Sequence, residues 1–543
     1  MTARAAALAG VVALSLAATS TATAARFAVG IAPTADRVAL VHRLEARGAT
    51  RIADLAPIAA LAVTADRASA LRGLPGERYV QKLVSRRVAY VPNDPFLARQ
   101  WYAAQNRSFD AWPDPPTFAA VRVAVIDSGI DGRHPELRGR IAAAKSFVAG
   151  PATVDTQGHG TFVAGLIAAE TNDGVGIAGL APAAELLVAK VVGPQRSIPV
   201  EAEAKAIRWA VANGARVINM SLSGLRDPRD PSRDTYSRLE ADAIDYAVSK
   251  GVLVVAAVGN SDQSPSQPWP YAGWPAALPH VIGVSALSRS GNAAGFSNRD
   301  PQFNDLAAPG ENILSTFPLA LTAAHPDCLE QGYSSCGPEE FRSAEGTSFA
   351  APQVTAAAAM LFATSPTLSP DQVTTLLEEG AVDAVPANGC VKCTVGHDRF
   401  TGAGRLDQTA AIELLAAGAP PRDHFEPNDD GTSAYPLYGS RRQVDATLDY
   451  WNDRDDVYRV YLRKGERLVA AAATSSEIHP ALALWRPGTT TVDVAAATSR
   501  RLAAQPAGAG LGYRAPAAGW YLLDAKLTHA TRGPYRLVVT KTR

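Results

Sequence analysis

The stretch 121–411 alternates short apolar runs with segments whose apolar residues follow helical spacing. Apolar runs of this length, bounded by polar turns, predict buried strands, and the segments between them predict helices. Such βαβ repeats form a mostly parallel sheet with helices on both faces. We therefore predict an α/β fold here. The predicted strands are 121–126, 186–192, 215–222, 252–258 and 280–286, and two of the predicted helices are 201–212 and 240–250.

Composition and charge exclude several classes of partner. The chain has 543 residues, too many for one ordinary domain, and its 47% hydrophobic and 19% charged residues are typical of a globular protein. Its 52 Lys and Arg residues balance 52 Asp and Glu residues, without a basic block. We therefore expect no nucleic acid and no stable membrane association. We also expect no organic cofactor.

Residues 1–25 have the three parts of a secretory signal peptide. Arg4 supplies a positive charge, residues 5–18 form an apolar run too short to cross a bilayer, and Ala22-Thr23-Ala24 fits a cleavage site. An ordinary N-terminal helix is the alternative, but the composition changes abruptly at Arg26. We expect a secreted, extracellular protein.

Ser348 stands between Gly346-Thr347 and an Ala-rich helical run at 349–363. The sequence therefore places it at a helix N-terminus, where free backbone N–H groups favour a developing negative charge. That setting suits a nucleophilic serine whose reaction forms an oxyanion. Serine is also a preferred helix cap, and this stretch alone does not separate the two roles.

Two other segments place an aspartate at the end of a strand and a histidine at the start of a helix, where both could act together with a nucleophilic serine. Asp127 ends the strand 121–126, at the edge where open α/β sheets build their sites. His159 begins a further helix in the run Gly158-His159-Gly160. The chain order is Asp, His, Ser, and Ala350 departs from the G-x-S-x-G turn of α/β-hydrolases.

Four blocks in this order resemble the subtilase (subtilisin-like serine protease) family over roughly residues 92–417. The resemblance implies a subtilisin-like catalytic domain at 91–417, a serine endopeptidase that works through an acyl-enzyme. It implies a triad of Asp127, His159 and Ser348, with Asn260 as the side-chain donor of the oxyanion hole. The four blocks are Asp127-Ser128-Gly129, His159-Gly160-Thr161, 254–260 and 346–352.

Residues 26–90 alternate strand-like and helix-like pieces, which predicts a small α+β unit. In subtilases a unit of this pattern is an inhibitory propeptide. The resemblance therefore implies a self-processing precursor, cut within 85–91, whose own propeptide is its inhibitor. A structural N-terminal domain that stays attached is the alternative.

The segment Ser221-Leu222-Ser223-Gly224 resembles the family segment that pairs with the substrate backbone beside the S1 pocket. An extended peptide adds there as a strand, which binds main chain with little demand on sequence. The implied partners are protein or peptide substrates. The family often has Gly where Ser223 stands, which leaves the width of the pocket open.

The run 170–177 resembles the calcium loop of subtilases, and Ca²⁺ prefers six to eight oxygen ligands. The resemblance implies a structural Ca²⁺ held by side chains of Asp94, Glu136 and Asp173 and by the carbonyls of Val175 and Ile177. A Gly-rich surface turn with solvated acids is the alternative.

Four cysteines lie in loop-like segments, and export favours disulfides. Four cysteines allow three connectivities, of which we prefer the two local pairs. These pairs are Cys328–Cys336 and Cys390–Cys393.

Residues 418–424 form a small, Pro-rich linker, and the strand-like pattern of 425–543 predicts a β-sandwich. This last part resembles the bacterial pre-peptidase C-terminal domain. Since it contains no part of the implied triad, we expect its removal to spare hydrolysis of short peptides.

Five side chains of this part form a second calcium site or, alternatively, are solvated turn residues. They are Glu426, Asn428, Asp429, Asp453 and Asp456.

Two rival functions remain. A catalytically silent protein that binds through its β-domain would be marked by a substitution in the implied triad, and none is present. The second rival is a protease dedicated to one partner, and the sequence does not distinguish it from a protease of broad specificity.

Overall fold

The computed structural model describes residues 25–83, 90–324, 340–473, 478–492 and 499–543. The chain divides into two compact units, 1–88 and 89–543. The predicted signal peptide and most of the predicted cleavage stretch 85–91 lie outside the described residues. In the part of the chain that is described, no helix is long and apolar enough to cross a membrane.

The first unit is an antiparallel four-stranded sheet with two helices. Its elements are β1 (Ala25–Ile31), α1 (Arg37–Ala46), β2 (Thr50–Asp54), β3 (Ala60–Ala65), α2 (Ala68–Leu71) and β4 (Glu77–Lys82). The strand order is β2-β3-β1-β4. Asp36 caps α1 by accepting the N–H groups of Val38 and Ala39. Leu40 and Leu44 of α1 are fully buried, so one face of the helix packs into the core of this unit.

The centre of the second unit is a sheet of seven parallel strands. These are β5 (Val121–Asp127), β6 (Ile141–Ser146), β7 (Ala184–Lys190), β8 (Val217–Met220), β9 (Leu253–Ala257), β10 (Val281–Leu287) and β11 (Leu306–Pro309). Their order is β11-β10-β9-β8-β5-β7-β6, with every neighbouring pair parallel. The predicted α/β class is confirmed, and the five strands predicted in this region correspond to β5, β7, β8, β9 and β10.

Helices cover both faces of this sheet. They include α3 (Trp101–Gln105), α4 (His159–Ala168), α5 (Val200–Ala212), α6 (Arg238–Ser249), α7 (Leu319–Ala324), α8 (Thr347–Thr364), α9 (Pro370–Gly380) and α10 (Gln408–Ala417). Val123 and Val125 of β5 share a core with α4 and α8, whereas Ala124 and Ile126 share a core with α5 and α6. Because successive strand residues point to opposite faces, a strand buried on both sides must be apolar throughout.

An antiparallel pair, β12 (Ile313–Thr316) and β13 (Phe341–Ala344), leads into α8. The sequence analysis did not predict this pair, nor β6 and β11 at the two edges of the large sheet. Several residues of β6 are exposed, and it carries Lys145, so it lacks the continuous apolar run that marks the inner strands. Edge strands commonly have this mixed pattern.

The C-terminal part is a sandwich of two sheets. Its strands are β14 (Tyr435–Leu437), β15 (Arg441–Asp449), β16 (Asp455–Leu462), β17 (Arg467–Ala473), β18 (Ala481–Trp485), β19 (Arg501–Gln505), β20 (Leu511–Arg514), β21 (Gly519–Lys526) and β22 (Arg532–Thr542). One sheet has the order β14-β16-β21-β18-β19 and the other β15-β22-β17-β20. The predicted β-sandwich is confirmed.

The sandwich packs against the α/β part of the same unit. Arg532 at the start of β22 forms an ion pair with Glu378 of α9, whose side chain is only 1% exposed. Gln372 Nε2 donates to the carbonyl of Pro420 at 2.6 Å, and the rings of His397 and Trp451 stack 4.2 Å apart. The segment between the two parts is therefore tied to α9 by the hydrogen bond at Pro420.

Candidate active site

Asp127 is the last residue of β5 and is 1% exposed. Its Oδ1 accepts the backbone N–H of Ser128 at 2.7 Å and lies 2.8 Å from Nδ1 of His159. The strand therefore delivers a buried carboxylate at its carboxyl end, as predicted, and the carboxylate fixes the orientation of the imidazole.

His159 is the first residue of α4, after Gly158 at φ 88°. A Cβ at Gly160 would overlap the carbonyl oxygen of Gly129, so only glycine allows β5 and α4 to approach this closely. Burial lowers the pKa of His159, but the charge and hydrogen bond of Asp127 raise it, and the net pKa lies above its usual value. A raised pKa means that the site stabilises the protonated imidazolium.

Ser348 is the second residue of α8, after Gly346 at φ 149°. Its Oγ donates to the carbonyl of Ser221 at 3.2 Å, and its own carbonyl accepts the hydroxyl of Ser221 at 2.7 Å. The ring of Phe349, the next residue, lies 5.5 Å from the His159 ring. In this arrangement the hydroxyl hydrogen of Ser348 points to the carbonyl of Ser221.

Asn260 follows β9 and stands beside the start of α8. Its Oδ1 accepts both the backbone N–H of Thr347 at 3.1 Å and the hydroxyl of Thr347 at 3.0 Å. Because both donors hold the oxygen end of the amide, its NH₂ group is the end that faces away from Thr347. The backbone N–H groups at the start of α8 and this amide are donors of the kind that stabilise an oxyanion.

One open cleft of about 330 Å³ brings the predicted catalytic and substrate-binding side chains together. Gly224 lies just beyond its lining, where its N–H and C=O pair with Trp274. The hydroxyl of Ser223 lies against Gly259 and Gly273, where a Cβ on either glycine would collide with it. The lining residues include Asp127, His159, Ser221, Leu222, Ser223, Asn260 and Ser348.

Two further residues belong to this neighbourhood and were missed by the sequence analysis. Asp155 is 3% exposed, and its two oxygens accept from Ser128 Oγ, from the N–H groups of Gly158 and Thr161, and from the Thr161 hydroxyl. It thereby fixes the end of β5 to the start of α4. An acidic residue a few positions before a helix start is a capping signal, and this signal could have identified Asp155. The second is Arg196, which lines the cleft with a backbone φ of 58°.

The predicted calcium ligands Asp94, Glu136 and Asp173 surround one loop. Asp94 accepts the N–H of Asn172, and Glu136 is 1% exposed. Among the described residues, neither carboxylate oxygen of Glu136 has a hydrogen bond of normal geometry. Burial, followed by the charges of Asp173 and Asp94, raises the pKa of Glu136 to about 8. A buried, repelled carboxylate fits a cation, so the donor set suits Ca²⁺. The tightest clusters of metal-ligating side chains in the described ranges lie elsewhere, near Glu426.

Cys390 and Cys393 form a disulfide, as predicted, with Cα atoms 5.3 Å apart. The other predicted pair, Cys328–Cys336, lies outside the described residues.

The alternative of solvated turn residues in the sandwich is wrong for Asn428, Asp453 and Asp456, all of which are buried.

The fold and the order of these residues along the chain are those of subtilisin-like serine endopeptidases. Residues 119–404 match the model of the subtilase family. The chain belongs to this family.

Individual relatives agree with the family assignment. Subtilisin DY of Bacillus licheniformis is 36% identical over 54% of this chain and 92% of its own length. Subtilisin Savinase of Lederbergia lenta is 36% identical over 57% of this chain and 94% of its own. Among solved structures, a protease of Pseudoalteromonas arctica PAMC 21717 covers 60% of this chain and 99% of its own, with a TM-score of 0.48 and 27% identity. The protein is a subtilisin-like serine endopeptidase that acts on protein substrates.

Proposed function

We propose that Asp127, His159 and Ser348 form the catalytic triad of this endopeptidase. Ser348 Oγ attacks the peptide carbonyl while His159 takes its proton, and Asp127 orients and stabilises the imidazolium. Asn260 and the N–H of Ser348 hold the oxyanion. His159 then protonates the leaving amine, and water repeats the path to release the acyl group. The supporting observation is the 2.8 Å contact between His159 and Asp127 in the same cleft as Ser348.

The substrate backbone pairs with Ser221, Leu222 and Ser223. Gly224 already pairs with Trp274 and fixes the far end of this segment rather than offering a free edge. The Ser223 hydroxyl narrows the space between Gly259 and Gly273, which supports a preference for small side chains at the residue before the cleaved bond.

The test of the triad uses Ser348→Ala with Ser249→Ala, an exposed serine at the end of α6, as its matched control. Ser348→Ala should abolish peptide hydrolysis and labelling by a fluorophosphonate, whereas Ser249→Ala should keep both. Normal turnover or labelling in Ser348→Ala would remove the nucleophile assignment.

The chain is made as an exported precursor that processes itself, with residues 26–90 as an inhibitory propeptide. The signal-like residues 1–25 and the separate compact unit before the catalytic part support this. If Ser348 performs the cut, Ser348→Ala should accumulate as unprocessed chain. Mass spectrometry of wild type and variant then locates the new N-terminus.

A Ca²⁺ ion bound near the 170–177 loop stabilises the catalytic part. The side chains of Asp94, Glu136 and Asp173 and the carbonyls of Val175 and Ile177 would hold it. The main support is the buried carboxylate of Glu136, which has no hydrogen bond of normal geometry to any described residue. The role is structural, and no catalytic step involves the ion.

The C-terminal sandwich is an accessory domain of the pre-peptidase C-terminal type.

A further inference from the structure

A tight turn, residues 193–197, follows β7 and borders the cleft that holds the proposed triad. The N–H of Arg196 donates to the carbonyl of Gly193 at 3.0 Å, and the N–H of Gly193 donates to the carbonyl of Ser197 at 2.9 Å. Pro194 stands second in the turn, where its fixed φ favours the bend. The turn is therefore closed by its own hydrogen bonds, and its Arg196 lines the cleft.

Arg196 has a left-handed backbone conformation, with a φ of 58°. Glycine and asparagine adopt this conformation with the least strain, and it is uncommon for a long side chain. Hairpin loops of this kind usually place glycine at the left-handed residue. Strained backbone is typical of functional sites. An arginine at this position beside the cleft therefore indicates a role for its side chain.

Hydrogen bonds fix the turn to the segments that carry two members of the proposed triad. The N–H of Val191, the first residue after β7, donates to the carbonyl of Asp127 at 2.9 Å. Nε2 of Gln157, two residues before His159, donates to the carbonyl of Gly193 at 3.1 Å. These contacts set the base of the turn relative to the triad, so the turn is held beside the cleft.

The strand order explains how this turn faces a substrate. β5 lies between β7 and β8 in the parallel sheet, so the turn after β7 and the segment after β8 flank the end of β5, where Asp127 lies. The segment after β8 contains residues 221–223, with which the substrate backbone pairs in the proposed function. In an extended peptide, every second side chain points to the same side. Some substrate side chains therefore face the turn that carries Arg196.

Arg196 gives the cleft an exposed positive charge. Among the described residues that line the cleft, three have ionisable side chains, namely Asp127, His159 and Arg196. Asp127 is 1% exposed and lies 2.8 Å from the His159 ring, whereas Arg196 is exposed to solvent. A guanidinium group matches a carboxylate through parallel N–H donors, and it repels a substrate Lys or Arg. The charge of the cleft therefore favours acidic substrate side chains.

We propose that Arg196 makes this endopeptidase prefer substrates with Asp or Glu at one of the residues before the cleaved bond. The proposal rests on the proposed function, because the substrate must lie along residues 221–223. The Arg196 guanidinium would pair with the substrate carboxylate when the substrate binds. Since this pair is present both in the bound substrate and in the transition state, it should lower KM more than it raises kcat.

The test compares pairs of fluorogenic peptides that differ only by Glu or Gln at a single residue before the cleaved bond. In one pair we expect kcat/KM to be about 3-fold to 10-fold higher for the Glu peptide, as for a solvent-accessible charge pair of good geometry. The ratio should fall towards one as NaCl rises from about 0.05 M to about 0.5 M, because salt screens exposed charges. A Lys peptide of the same design should be cleaved most slowly.

Three variants assign the preference to one side chain. Arg196→Asn removes the charge and suits the left-handed backbone, and it should bring the ratio of the Glu and Gln peptides to about one. Arg196→Lys keeps a charge without the guanidinium fork and should restore part of the ratio. Arg208→Gln, an exposed arginine of α5 that does not line the cleft, is the matched control and should keep the full ratio.

Two results would overturn the proposal. They are equal cleavage of the Glu and Gln peptides by the parent in every pair, and a Glu preference that Arg196→Asn retains. If Arg196→Asn fails to fold by circular dichroism, the salt series of the parent decides, and a Glu preference unchanged by salt would contradict the proposal. Hydrolysis of the Gln peptides by Ser348→Ala would instead contradict the proposed active site, so the two failures are distinguishable.

Discussion

Asn260 Oδ1 accepts two hydrogen bonds from the same residue, one from the backbone N–H and one from the hydroxyl of Thr347. This double contact fixes which end of the amide faces the cleft beside Ser348. In the proposed oxyanion hole the NH₂ group is used chiefly in the transition state, so its loss should lower kcat rather than raise KM. We expect Asn260→Ala to lower kcat by about 10²-fold to 10³-fold, a magnitude taken from the corresponding subtilisin donor.

Steady-state kinetics on one short peptide measures this effect. Thr347→Val is the companion variant, because it removes one of the two donors to Asn260 and keeps the backbone N–H. Its loss in kcat should be smaller than that of Asn260→Ala. A change confined to KM in Asn260→Ala would exclude the oxyanion role.

The pH profile should report the pair of His159 and Asp127. His159 acts as a base only when neutral, so activity should rise as pH rises through its pKa. That pKa lies above the usual value of 6.5, because burial lowers it by less than Asp127 and Asp155 together raise it. Asp127→Asn should lower kcat by about 10⁴-fold and move the acid limb of kcat/KM to lower pH. An acid limb that does not move would mean that another group controls it.

Glu203 of α5 and Glu240 of α6 should make stability fall as pH rises. They are 6% and 5% exposed. Burial, followed by the charge of Glu240, raises the pKa of Glu203 to about 8, and burial raises that of Glu240 to about 7. The folded state therefore keeps protons that the unfolded state releases near pH 4.5, so stability is lost between about pH 4.5 and pH 8.

Glu203→Gln removes this ionisation. In the Ser348→Ala background, its free energy of unfolding should exceed that of the parent by about 1–3 kcal/mol at pH 9, with the smallest difference at acid pH. Glu201→Gln, an exposed neighbour on α5, should show no such trend. A difference independent of pH would contradict the assignment.

Calcium removal should lower the melting temperature of the catalytic part. Ligands that bind only the native state stabilise it by mass action, so excess Ca²⁺ should raise Tm and EDTA should lower it by several degrees. Asp173→Ala should melt like the EDTA-treated parent and no longer respond to Ca²⁺. Asp262→Ala, another exposed acid, should keep the response. Equal melting curves in Ca²⁺ and EDTA would remove the calcium proposal.

Arg532 should matter to stability far more than an exposed arginine on the same strand. Arg532→Met leaves the buried Glu378 without its cation. Because that carboxyl then takes up a proton or is exposed, we expect a loss of about 1–3 kcal/mol. Arg536 pairs with Asp445, but both are more than half exposed, so Arg536→Met should change stability little. Thermal unfolding compares the two, and equal losses would refute the prediction.

The same contacts change what we expect of a chain truncated after Pro421. The sequence led us to expect that hydrolysis of short peptides would survive, and that remains a prediction. The structure adds that truncation would expose Glu378 and His280, which are buried against the sandwich. We therefore expect the truncated chain to melt at lower temperature even where it remains active.

The inner strands and the positions of Asp127, His159 and Ser348 could be predicted because local pattern determines them. Each stands where an apolar run ends or a helix begins, and sequence marks such ends clearly. The contact of Glu378 with Arg532 could not be predicted, because no local pattern shows that two distant charged residues are buried together. His280 was predicted only as the start of a strand, since nothing around it in sequence indicates acids from the C-terminal part.

The placement of Ser348 on α8 also determines when activity becomes available during synthesis. Asp127 and His159 emerge from the ribosome early, but Ser348, the proposed nucleophile, lies on a buried helix that follows all seven strands of the large sheet. At about 5–20 residues per second, the chain between His159 and Ser348 takes on the order of 10 s or more to make. In the proposed triad, a partly made chain holds the base without the nucleophile, so it stays inactive until Ser348 has been made.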